Sequence, residues 1–143
     1  MWELQKQIQI YIAAKRQDDR RHLLDSLIVD GFNVTAFASA GDLWEHFQLR
    51  PARIVMTERR FDFGLAGLEL VGRIRQLQPW PYVYFVVMSS LSRMEEIEQG
   101  LEAGVDDYLL KPFNPIQLRA RALVALRWLS YLDSLVQDQA AAP

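Results

Sequence analysis

Hydrophobic and polar positions change their period along the chain, and each change predicts an element. "QIQIYIAA", Gln7 to Ala14, is β-branched and partly alternating, which predicts a strand. "DDRRHLLDSLIVDGF" then switches to helical spacing. Leu23, Leu24, Leu27 and Ile28 share one face, with Asp18 as the expected cap and Gly31 as the stop. "NVTAFAS" predicts a second strand. "SAGDLWEHFQLRP" predicts a helix capped by Ser39 and closed by Pro51, with Leu43, Trp44 and Phe47 as its apolar face. "ARIVMTE" predicts a third strand buried on both sides. After a polar loop with two glycines, "LELVGRIRQLQ" predicts a helix with Leu68, Val71, Ile74 and Leu77 facing inward.

"YVYFVVMSS" is continuously apolar, as a strand covered on both faces must be. "SRMEEIEQGLEAG" reads as a helix with a capping box between Ser92 and Glu95. "DDYLL" predicts the last strand, and "PIQLRARALVALRWLSYLDSLVQDQ" a long helix with Asn114 as cap and Pro115 in its first turn. Five β–α units in strict alternation predict an α/β doubly wound parallel sheet with helices on both faces. Working sites in such sheets lie at the carboxyl ends of the strands. The positions to inspect are therefore Ala13 and Ala14, Glu58, Ser89 and Ser90, and Lys111.

Composition narrows this picture. The 143 residues, half of them hydrophobic, suit one domain with one core. A net charge of -2 and a pI near 5.7 give no broad basic field, so nucleic acid is not an expected direct partner. The chain has no cysteine, which excludes disulfides and thiolate metal sites and fits a reducing, cytoplasmic setting. The first apolar run is short and broken by Gln9, unlike a signal peptide or a membrane span. The tail "VQDQAAAP" reads as a fraying end or a cut linker.

Chemistry concentrates in "GVDDYLLKPFNP", Gly104 to Pro115, where a lysine ends a buried strand and must face an anion. "GLEAGVDDYLLKPF", together with "GLAGLEL" after the third strand, resembles the receiver domain of two-component response regulators. The resemblance covers roughly Gln7 to Arg127. It implies the CheY-type, flavodoxin-like (βα)5 fold with a five-stranded parallel sheet. Residues 1–127 would form the receiver-like domain, and 128–143 an extension of the last helix and a tail. Family members carry a phosphorylatable Asp, an acidic pair that holds Mg²⁺, a Ser or Thr, an aromatic residue, and a Lys before a cis proline. Ser89, Tyr108, Lys111 and Pro112 match, and a cis Lys111–Pro112 bond is implied. The acidic pair does not match: Ala13 and Ala14 take its place, or Ala14 and Lys15 if the register moves by one. The acceptor position reads Glu58, and the loop to Gly67 is one residue longer than the family's.

Mg²⁺ demands oxygen ligands in octahedral geometry, and this edge offers one carboxylate where the family offers three. Without the metal, phosphoryl transfer loses its main charge neutraliser. Glu58 is also one methylene longer than Asp, and a misplacement of about 1 Å can slow a reaction roughly a hundredfold. The expected anion facing Lys111 is Glu58 itself. The leading reading is a degenerate receiver: a non-enzymatic signalling module without cofactor or metal, acting through protein contacts on an output domain or protein. Two alternatives stay open. One is a residual phosphoacceptor served by a histidine kinase, and the other a domain sensing a small anion or ligand.

Each site residue also has a plainer reading. Lys111 ends a strand and could be solvated, Ser89 and Ser90 could cap the following helix, and Tyr108 could be ordinary packing. Asp18 and Asp19 are explained by a helix N-terminus better than by a displaced metal pair. Asp62 is a minor substitute acceptor, His22 and His46 lack ligand spacing, and Arg59 and Arg60 at the pocket mouth read mainly as solvated. Along the last helix, Leu118, Ala122, Ala125, Leu129, Leu132 and Val136 are spaced as a heptad seam, with Trp128 and Tyr131 beside it. Its later members either fold back towards Trp2 or pair with a second copy. The resemblance adds a contact for that homodimer, Arg121 reaching Asp106 or Asp107 of the other copy.

Overall fold

The computed structural model describes residues 7–77, 81–90 and 93–141. Its elements alternate as the pattern predicts: β1 (Gln9–Ala13), α1 (Gln17–Val29), β2 (Asn33–Phe37), α2 (Ala40–Leu49), β3 (Ile54–Glu58), α3 (Gly67–Leu77), β4 (Tyr84–Ser89), α4 (Met94–Ala103), β5 (Asp107–Leu110) and α5 (Pro115–Ala141). All pairings are parallel, in the order β2-β1-β3-β4-β5. This is the flavodoxin-like, CheY-type fold.

Strand period assigns the two cores. Ile10 and Ile12, Ile54 and Met56, and Val86 and Met88 point to one face, where Leu23 and Leu27 of α1 and Leu118 to Leu129 of α5 cover them. The residues between them, Tyr11 and Ala13, Val55, Phe85 and Val87, point to the other face, under α2 and α3. β3 is buried at every position, which places its carboxyl end in the middle of the sheet.

Several local expectations shift. Ser39 does cap α2, accepting from the Asp42 amide at 3.1 Å, and Asn114 caps α5 through the amides of Ile116 and Gln117. Asp18 is not the cap of α1: that place falls to Arg16, without a side-chain bond, and Asp18 and Asp19 lie in the first turn. Ile28 is exposed, so Leu23 and Leu27 carry the α1 contact. On α3 the inner face is Gly67, Leu70, Val71 and Ile74, a rotation away from Leu68 and Leu77. The proposed cap Ser92 and the fold-back partner Trp2 lie outside the described residues.

α5 is one unbroken helix of 27 residues, about 40 Å long. The expected boundary after Arg127 falls within it, and Leu129, just beyond, is fully buried. Arg53, at the start of β3, holds the helix further along, with a two-pronged bond to Asp133 at 3.0 and 3.1 Å while its Nε donates to the Tyr82 carbonyl. The expected seam therefore divides. Leu118, Ala122, Ala125 and Leu129 belong to the chain's own core, Leu132 is half-buried and Val136 is exposed. No described helix is long and apolar enough to cross a membrane.

At the opposite end of the sheet from Glu58, Arg75 of α3 ties three segments together. Its guanidinium donates to the carbonyls of Gly104 and Val83, to the Tyr82 hydroxyl and to Asp106, and lies over the Tyr82 and Phe85 rings. Asp106 also accepts from the Tyr82 hydroxyl and the Phe85 amide. Burial first, then Asp106, pushes the Tyr82 phenol up to about 12. Tyr84 is pushed to about 12 by burial and then by Asp107 and Asp106. An unfolded tyrosine ionises near 10.0, so the unfolded chain releases these protons first. The corresponding stability is complete below pH 10 and is lost as pH rises towards 12. Urea midpoints measured across that range should fall with pH, and Tyr82→Phe should flatten the slope. A wild-type midpoint independent of pH between those limits would contradict this account.

Candidate functional site

β3 brings Glu58 to the centre of the carboxyl edge, with Ala13 of β1 beside Thr57 and Met88 of β4 beside Glu58. A glutamate here is a buried charge, 3% exposed, and such a charge needs a partner. Lys111, just past β5, supplies it: the ammonium lies 3.2 Å from Glu58 Oε1 and 3.8 Å from Asp19 Oδ2. That same Glu58 oxygen has no aligned hydrogen-bond donor, so the contact is an ion pair rather than a directed bond. Lys111 is held by its own amide on the Ser89 carbonyl at 2.9 Å and sits 5.6 Å from the Phe113 ring. The Lys111–Pro112 bond is cis, as the resemblance implied.

Backbone packing fixes the acceptor-equivalent strand end. A Cβ on Gly67 would fall 2.1 Å from the Glu58 carbonyl oxygen, so only glycine lets α3 begin so close to β3. The Gly67 amide donates to the Arg59 carbonyl and the Arg59 amide to that of Met88. A cleft of ≈ 170 Å³ opens in front, lined by Lys15, Glu58, Arg59, Arg60, Ser89 and Lys111 among others.

Ala13 and Ala14 are fully buried and offer this cleft no donor. Lys15 is the first side chain of that segment to line it, and it pairs with Asp62 at 3.4 Å. Arg60 pairs with Glu96 of α4 at 3.1 Å, while Arg59 donates to the Glu96 carbonyl at 3.2 Å and to Gln99 at 2.6 Å. Among the described residues, Lys15, Arg60 and Lys111 around the cleft thus meet four carboxylates: Asp19, Glu58, Asp62 and Glu96. This donor set does not suit Mg²⁺. A single buried carboxylate already faces an ammonium, Lys15 stands where a ligand is wanted, and no cluster of three metal-binding side chains occurs among the described residues.

Tyr108 turns inward over α4. A Cβ on Gly100 would fall 1.5 Å from its hydroxyl, which donates to the Glu96 carbonyl at 3.1 Å. Burial raises its phenol pKa, against the Arg59 charge, which lowers it. Ser89 and Ser90 line the cleft. Asp106 and Asp107 are engaged within the chain, by Arg75 and by Arg121 at 3.0 and 3.1 Å. The contact assigned to a second copy is thus made internally, and Leu129, placed on that face by the sequence, is buried in its own core. His22 meets the Phe113 carbonyl, and His46 lies 5.3 Å from the Tyr11 and Phe37 rings. Sequence reasoning missed the parts of Asp19 and Glu96. Asp19 was legible in principle, because the first turn of a helix after β1 must overhang the strand ends.

The response regulator receiver domain model matches residues 10–123. The chain is 35% identical over 119 residues to the KDP operon transcriptional regulatory protein KdpE of Escherichia coli, covering 82% of this chain and 51% of that protein. It is 36% identical over 110 residues to the transcriptional regulatory protein KdpE of Staphylococcus aureus, covering 74% and 45%. The chain therefore spans about half the length of these relatives. Among solved structures, a putative response regulator from Chloroflexus aurantiacus superposes with a TM-score of 0.77 at 22% identity, over 84% of this chain and 98% of that one. A putative two-component response regulator/GGDEF domain protein superposes with a TM-score of 0.82 at 21% identity, over 90% and 53%.

Because Glu58 is buried, removing its cation leaves an uncompensated charge. Lys111→Met should destabilise the fold by about 1–3 kcal/mol, and Glu58→Gln in the same chain should recover much of it. A double-mutant cycle by urea unfolding measures the coupling. A coupling near zero would mean the two charges do not stabilise each other.

Proposed function

The chain belongs to the response regulator receiver domain family, and from that premise we propose that it is a degenerate receiver, signalling by protein contacts without Mg²⁺-dependent phosphorylation. The observation that carries this reading is the Glu58–Lys111 pair at 3.2 Å beside a β1 tip that ends in two buried alanines. Receivers work by a change of charge at this edge. Here the charges already balance among themselves, so neither a dication nor a phosphoryl group is required for neutrality. Its partners would be an output module and a kinase-pathway protein. The KdpE relatives are named as transcriptional regulatory proteins, and an output of that kind, in the same or another polypeptide, fits the reading.

A second copy is also proposed as a partner. The exposed side of α4 carries Glu95, Glu98 and Glu102 beside Met94 and Leu101. α5 carries Arg121 and Arg127 beside an exposed stripe of Val124, Trp128, Tyr131 and Leu135. That stripe has heptad spacing, and the Trp128 and Tyr131 rings stack at 6.0 Å. A two-fold pairing sets each copy's acidic α4 against the other's basic α5.

Incubation with a small acyl phosphate and Mg²⁺, followed by intact-mass measurement, should show no phosphoryl adduct. An adduct lost in Glu58→Gln would instead establish a working acceptor. Light scattering at micromolar concentration should give a dimer for the intact chain and a monomer for Trp128→Asp with Leu135→Asp. A monomeric intact chain would refute the pairing.

A further inference from the structure

α4 is weakly held by apolar packing. Gly100 is its one buried residue, and Arg93 at its N-cap makes no side-chain bond to it. Among the described residues, side-chain polar contacts to its first turns come from the loop after Glu58 and from Tyr108. Arg59 Nη1 donates to the Glu96 carbonyl at 3.2 Å and Nη2 to Gln99 Oε1 at 2.6 Å. Arg60 Nη2 meets Glu96 Oε1 at 3.1 Å, on a carboxylate whose side chain is only 12% exposed. The Tyr108 hydroxyl converges on the same Glu96 carbonyl. The other Glu96 oxygen is buried with no hydrogen-bond partner, so Arg60 is the cation that makes this carboxylate tolerable in place.

The origin of the clamp is rigid. Arg59 is fixed by its amide on the Met88 carbonyl and its carbonyl on the Gly67 amide, directly beside the close approach of Gly67 to Glu58. We propose that Arg59 and Arg60 are positioning residues that clamp α4 and the Tyr108 ring to the end of β3. The placement of the α4 face is then set from the strand that carries Glu58, through the anchored Arg59 and the more exposed Arg60, and needs no chemical modification. Lys15 lines the same cleft but, among the described residues, pairs with Asp62, so it is a neighbouring cation outside the clamp. Nothing in the clamp depends on a second copy.

Hydrogen exchange read by mass spectrometry tests this on the full chain. The arms are wild type, Arg59→Gln with Arg60→Gln, Arg60→Gln alone, and Lys15→Gln as control. The double substitution should lower protection of amides 94–103 about tenfold while β3 and β4 keep theirs. Arg60→Gln alone should give a smaller loss in the same segment, and Lys15→Gln none. Unchanged α4 protection in the double variant would overturn the clamp. So would an equal loss across β3 and β4, or an equal loss in Lys15→Gln. Repeating the comparison in the Trp128→Asp, Leu135→Asp background, where pairing of copies is disabled, should give the same α4 loss. Failure of the dimer is then visible by light scattering and leaves the clamp result standing.

Discussion

A carboxylate at the carboxyl end of a strand buried on both faces is the constraint around which this molecule is arranged. Glu58 is nearly buried at the floor of its cleft, on a strand flanked by β1 and β4 and with the start of α3 against its carbonyl. Its charge must be met within the protein. The cation arrives from the far side of β4, on a lysine that leaves β5 and is held by the Ser89 carbonyl. Order in three strands is therefore a condition for one ion pair.

Around that pair, charged side chains meet counter-charges within the chain. Asp19 leans on Lys111 from the first turn of α1, Asp62 meets Lys15 across the mouth, and Glu96 meets Arg60. The exposed pairs stabilise little individually. Their importance is that the lysines and arginines lining the cleft already have partners within the chain, and the buried pair is reinforced by neighbours of the opposite sign.

Much of this was legible in residue order. The period-2 and period-3.6 switches located every strand and described helix, because both faces of the sheet are covered and leave continuous apolar strands. "YLLKPF" marked Lys111 and the cis bond through resemblance, and Glu58 as its anion followed from its place at the end of the third strand, the acceptor position of that resemblance, together with charge balance. What residue order hid were contacts between side chains far apart in sequence. The Arg53–Asp133 and Arg75–Asp106 bonds span 80 and 31 positions, and no periodicity announces them. Leu129 was misplaced for a related reason: helical spacing shows which residues share a stripe but not which stripe faces the sheet. The inner rows of α5 and its exposed row, Val124 to Leu135, have the same heptad character, and only packing separates them.

The bond from Arg53 to Asp133 gives α5 a fixed angular phase. Up to Asp133 the helix is registered against the start of β3, and from Ser134 to Ala141 it continues as a stalk about 12 Å long, whose described side chains, Ser134 to Gln139, are exposed. A residue inserted after Asp133 would turn the end of that stalk by about 100° while leaving the Arg53–Asp133 bond in place. The same insertion between Leu129 and Asp133 would first have to break the bond. Whatever direction the stalk points is thus inherited from the edge of the sheet as a rotation about the helix axis, so the spacing of residues beyond Asp133 sets orientation independently of sequence identity.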